Sequence, residues 1–187
     1  NRSSGYGFMI AGVAALVSGL SCGEAPGAFS QNSGKLQTVS GFRLTQAEEA
    51  NRTWSLAGDT AVYLEDDSVV TLSGVIITFF RDNLPESVVT ADSGRTGLNT
   101  GITVLWGSVT AENVRGRRLE TDLLEWDDSL GVFYTDCLAV FTVPEEEGVT
   151  VLRGRGVTLN TGLGTLGDVT VSRSFQAVYS GEVTGVD

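Results

Sequence analysis

The chain has 187 residues, with 12 Lys and Arg against 23 Asp and Glu for a net charge of −11, together with 24 Gly, 3 Pro, 2 Cys and no His. That balance excludes a nucleic-acid surface, which needs clustered cations to displace counterions from phosphate, and disfavours purely electrostatic binding to anionic membranes. Without histidine the commonest general base, triad partner and metal ligand are missing, and no carboxylate pair stands out for catalysis, so neither an enzyme nor a cofactor is expected.

In chain order, residues 1–23 read as a membrane-targeting segment. Nothing from Ser3 to Gly23 is charged, and the centre runs Phe8, Met9, Ile10, Ala11, Gly12, Val13, Ala14, Ala15, Leu16, Val17, Ser18, Gly19, Leu20. Two readings stand side by side. The uncharged stretch just reaches the roughly 20 residues that span a bilayer as a helix. Equally, Phe8 to Leu20 has the length of a secretory apolar core, and Gly19-Leu20-Ser21-Cys22 resembles a lipoprotein box that would place lipid on Cys22. Either reading exports the remainder of the chain and tethers it. Residues 24–36, polar and glycine-rich without periodicity, read as a flexible linker.

From residue 37 to 187 the pattern becomes alternation with period two. Trp54 and Leu56 alternate with Thr53 and Ser55, Val70 and Leu72 with Thr71 and Ser73, and Val169 and Val171 with Thr170 and Ser172. Such segments predict strands with one apolar and one polar face. Turn residues recur at Glu65 to Ser68, Asp82 to Pro85, Asp127 to Ser129, Glu145 to Gly148 and Asn160 to Gly162. Gln46 to Arg52 is too short and polar for a stable helix and reads as a turn or strand edge. Glycine-broken phrases repeat along the domain, from Val70 to Val75 through Leu105-Trp106-Gly107-Ser108-Val109 to Leu163-Gly164-Thr165-Leu166-Gly167-Asp168-Val169, as expected of a β sandwich, barrel or roll.

These phrases carry a family resemblance. Trp54-Ser55-Leu56-Ala57, Thr90-Ala91-Asp92-Ser93-Gly94, Leu105 to Val109, Leu119 to Leu124, Thr135-Asp136 and Arg153-Gly154-Arg155-Gly156 fall in the order and spacing of LptC, and from about Gly41 to Val183 the chain resembles that family. The resemblance implies an all-β fold, an open, twisted β-jellyroll or β-taco of antiparallel strands behind an N-terminal membrane-targeting helix. It implies a periplasmic protein anchored to the inner membrane and part of the lipopolysaccharide transport bridge. The implied partners are lipopolysaccharide, bound through its lipid A acyl chains; the inner-membrane LptB/LptF/LptG ABC transporter; and a periplasmic LptA-like bridge protein joined by edge-strand pairing. No nucleotide-binding motif is present, so energy would come from the partner.

The inward-facing candidates are Trp54, Leu56, Val70, Leu72, Trp106, Val109, Leu124, Trp126, Val140, Leu159, Val169 and Val171. Alternation alone makes them core; the resemblance makes them a lining for acyl chains. The other reading is a structural or adhesive β-repeat protein with a dry core. Arg115, Arg117 and Arg118, and Arg153 with Arg155, form basic clusters read either as solvated turn charges or as partners for lipid phosphates. Asp127-Asp128 and Glu145 to Glu147 lack the ligand spacing of a calcium loop, so no metal site is expected. Cys22 and Cys137 sit in different settings; no disulfide between them is expected, and Cys137 reads as a small buried hydrophobe.

Overall fold

The computed structural model describes residues 36–64, 68–164 and 168–181. The targeting segment, most of the linker and Cys22 lie outside the described residues. Ten strands succeed one another among the described residues: β1 (Leu36–Glu48), β2 (Asn51–Leu64), β3 (Val69–Arg81), β4 (Leu84–Gly97), β5 (Ile102–Asn113), β6 (Arg118–Asp127), β7 (Val132–Thr135), β8 (Ala139–Glu145), β9 (Gly148–Asn160) and β10 (Thr170–Gly181). Gln46 to Arg52 is the hairpin between β1 and β2, with Glu49 and Ala50 both at positive φ.

The described strands form one antiparallel sheet in the order β1-β2-β3-β4-β5-β6-β7-β9-β10. Strands β7 and β8 share a single place, both pairing with β6 on one side and β9 on the other. Cys137 lies at the break between them. It is 2% exposed, as expected of a small hydrophobe, but it is disulfide-bonded rather than free.

A crease folds this sheet. Along β3 the buried positions are Val70 and Leu72, then Val75, Ile77 and Phe79; along β6 they are Leu119 and Thr121, then Leu124 and Trp126. A step of three replaces the step of two where the strand bends, so both halves keep their side chains on the concave side. The bends line up across the sheet. Register sets Gly41 opposite Asp59 and Gly74 opposite Asp92, while Gly107, between Trp106 and Val109, lies at the irregularity in the pairing of β5 with both neighbours.

Gly107 shows why that row needs glycine. Its φ is +78°, and a Cβ there would come within 2.6 Å of the Asp92 Oδ2. The backbone is left-handed and the aspartate side chain lies over it, leaving no room for a substituent.

Folding about the crease brings the halves face to face. Trp54 on β2 and Trp126 on β6 are four strands apart, which in a flat sheet would separate them by about 19 Å. Their ring centroids are 5.1 Å apart. Phe79 meets Trp126 at 5.0 Å and Phe133 at 5.4 Å, all edge to face, a favoured aromatic geometry.

Away from the crease the mouth is stapled. Ser87 Oγ donates to the Thr161 carbonyl at 2.5 Å, Asn113 Nδ2 to the carbonyls of Gly162 and Leu163 at 3.1 and 3.3 Å, and Arg117 Nη1 to that of Gly164 at 2.7 Å. The side chain of Leu163 is fully buried. The phrase beginning at Leu163, expected as a strand, is thus part of the β9–β10 connection; the regular ladder resumes at Thr170.

Candidate functional site

The site is the concave surface between the two halves. Leu56, Val70, Leu72, Val109, Leu124, Trp126 and Leu159 are buried there, and Trp54, Val169 and Val171 pack against them from partly buried positions. Two of the expected inward positions are corrected. Trp106 is half-buried on the opposite face, because in β5 the inner positions are Thr103 and Leu105, followed after the bend by Val109. Val140 is likewise outward, since β8 turns Ala139 and Phe141 inward.

Sequence reading missed Ile77, Phe79, Val89, Leu105, Phe133 and Phe141, all buried. A signal existed for three of them: Val75, Ile77 and Phe79 alternate, as do Ala139, Phe141 and Val143. Leu105 and Trp106 are adjacent, so alternation admits only one of them to the interior, and the smaller is the one inside. Polar groups inside are paired with one another. Thr103 Oγ1 donates to Thr96 Oγ1 at 2.9 Å, and the hydroxyls of Thr121 and Thr135 meet at 3.3 Å.

The arginines do not act as clusters. Arg118 pairs with Glu112 and Glu120 at 3.0 and 3.2 Å, and the hydrogen bond to Glu120, before that to Glu112, raises its pKa. Arg117 is committed to the mouth loop, whereas Arg115 and Arg153 are exposed and Arg155 is half-buried on β9. Arg173 on β10 pairs with Asp136, which also accepts from Tyr134 Oη at 2.8 Å; Arg173 first and Tyr134 second hold the Asp136 carboxyl below its usual range. Asp127 caps its own turn, accepting from Ser129 Oγ at 2.6 Å and the Leu130 amide at 3.1 Å.

Openings lie at the rims. One of about 460 Å³ sits at the mouth, bordered by Arg81, Glu86, Arg115 and Arg117. Another, of about 400 Å³, lies between the end of β1 and the β4–β5 turn, bordered by Leu44, Trp54, Thr96, Leu98, Trp126 and Asp128. Burial raises the Asp128 carboxyl; the Trp54 indole opposes this, and Glu48 and Asp127 add like charge. Trp54 is close enough to influence Asp128, yet neither its Nε1 nor that of Trp126 has an acceptor in hydrogen-bonding geometry.

A single antiparallel sheet creased into a two-sided roll, with an apolar interior and two unpaired edges among the described strands, is consistent with an open β-jellyroll. The sequence matches the LptC family, described as lipopolysaccharide-assembly, LptC-related, over residues 10–164, and the chain belongs to that family. No curated protein matches it. Membership implies a role in lipopolysaccharide transport, and the family is a transport component, not a known enzyme family. Strand β10 lies beyond the matched residues.

Proposed function

We propose that this chain carries lipopolysaccharide through the periplasm from a tether in the inner membrane, accepting it from an LptB/LptF/LptG ABC transporter and passing it to an LptA-like bridge jellyroll. The observation that carries this reading, on top of family membership, is an apolar interior spanning β2 to β9, flanked by two edge strands, β1 and β10, that are exposed along nearly their whole length. Edges of this kind invite strand addition, by which a neighbouring jellyroll would extend the groove. The tether is the segment within residues 1–23, acting as a spanning helix or through lipid attached to Cys22.

The packed interior gives the second reading, a structural β protein with a dry core, its support. Leu56, Leu105, Leu124 and Leu163 are 0% exposed, so acyl chains would have to part the halves to enter. Site-specific photo-crosslinking in cells separates the two readings. A crosslinker at Leu72 or Leu124 should capture lipopolysaccharide, and one at the outward Trp106 should not. Absence of adducts at both inner positions, or equal capture at Trp106, would favour the dry core.

A further inference from the structure

The cavity between β1 and the β4–β5 turn has a chemistry that the lipid-carrier reading does not by itself specify. Trp126 is 2% exposed and its indole N–H has no acceptor among the described residues, nor does that of Trp54; both residues border the cavity. A buried donor without a partner is uncommon in native structures and marks a place where an acceptor belongs. A third donor is available, because Thr103 donates to Thr96 and leaves the Thr96 hydroxyl proton uncommitted. Leu44 and Leu98, both exposed, form the rim, and the Trp126 ring connects the cavity to the aromatic core through Phe79.

The lining rejects an anion. Among the described residues no lysine or arginine borders the cavity, and Asp128 does, with Glu48 and Asp127 near enough to act on it. A phosphate or free carboxylate would therefore be buried beside like charge with no counterion, which is strongly unfavourable. What fits is a neutral acceptor joined to an apolar chain and placed at the border between polar rim and apolar core. The linkage carbonyl of an acyl ester or amide has that position in any acylated lipid, one step from the headgroup.

We infer that this cavity is a subsite for the ester or amide carbonyl of an acyl chain, with the Trp126 and Trp54 indole N–H groups and the Thr96 hydroxyl as its donors. The inference rests on the lipid-carrier reading and adds which part of the lipid is recognised, and where.

The test uses the full chain held in amphipol, carrying Trp106→Phe so that emission reports on Trp54 and Trp126. Three soluble probes of equal chain length are titrated: the octanoyl ester of glycerol, its octyl ether, which lacks the carbonyl, and octanoate. The ester should bind about tenfold more tightly than the ether, the discrimination expected when buried donors lose their acceptor, and octanoate should bind no better than the ether. Trp126→Phe should bring the ester down to the level of the ether, and Thr96→Val should do so in part while leaving both indoles in place. Equal binding of ester and ether by the parent chain, as when water alone serves these donors, would overturn the inference, as would tighter binding of octanoate. If lipopolysaccharide is captured at Leu72 while ester and ether bind equally, only this inference fails. If the ester is preferred and no lipopolysaccharide is captured, the subsite stands and the carrier reading fails.

Discussion

A glycine at a crease and a glycine in a turn are different physical objects, although sequence prints them alike. Gly107 and Gly131 both have left-handed backbones, with φ of +78° and +63°; a Cβ at Gly107 would strike Asp92, whereas at Gly131 nothing lies within 4 Å. Substituting alanine at Gly131 should therefore cost only the left-handed conformation, about 1 kcal/mol, while Gly107→Ala adds the displacement of Asp92 and should cost about 2–3 kcal/mol. Chemical denaturation of the two variants measures the difference directly. Equal losses would mean that Asp92 moves aside freely and that the crease is set by backbone conformation alone.

At the scale of the element, chain alternation was legible and its interruption was not. Val70 and Leu72 announce an apolar face, but the same face continues at Val75 rather than Leu72's next even neighbour, Gly74, because the strand bends there. Strict alternation carried across such a bend assigns the wrong side, and at Leu105-Trp106 two adjacent apolar residues compete for one inward position, which the smaller takes. The expectation of antiparallel strands thus holds, while the inner face is recovered only once the register of all the strands is known. The adjacent arginines make the same point. Arg117 and Arg118 are one cluster in sequence, yet Arg117 reaches the mouth loop and Arg118 a pair of exposed carboxylates. Arg117→Gln should lose charge-assisted bonds to buried-loop carbonyls and cost about 1–2 kcal/mol; Arg118→Gln should cost less than about 1 kcal/mol. Urea unfolding gives the two values. Limited proteolysis should in addition show cleavage between Thr161 and Thr170 accelerated in the Arg117 variant alone; an unchanged rate would mean that Asn113 and Ser87 suffice to hold the loop.

For the whole molecule the informative surface is where the sheet stops. Interior strands have neighbours on both sides, but β1 and β10 each pair on one side only among the described residues, and they expose apolar side chains: Leu36 and Val39 on β1, Phe175, Val178 and Tyr179 on β10. Soluble proteins ordinarily blunt such edges with charge, proline or a covering element. Leaving them open is consistent with the proposed joining of jellyrolls into one groove, and it makes β10 testable without disturbing the interior. Successive backbone N–H groups of a strand point to opposite sides, so of Ala177 and Val178 one donates towards β9 and the other away from the sheet. Proline at the position facing β9 removes a ladder bond and should lower the melting temperature clearly. Proline at the other should leave melting within a few degrees of the parent, since an edge strand tolerates it on its open side. If the bridge protein adds a strand to β10, the second variant alone should be folded and still fail to crosslink to an LptA-like jellyroll. Undiminished crosslinking by that folded variant would exclude β10 as the joining edge and leave β1, whose Leu36 to Ser40 segment is open in the same way, as the edge to examine with the same pair of substitutions.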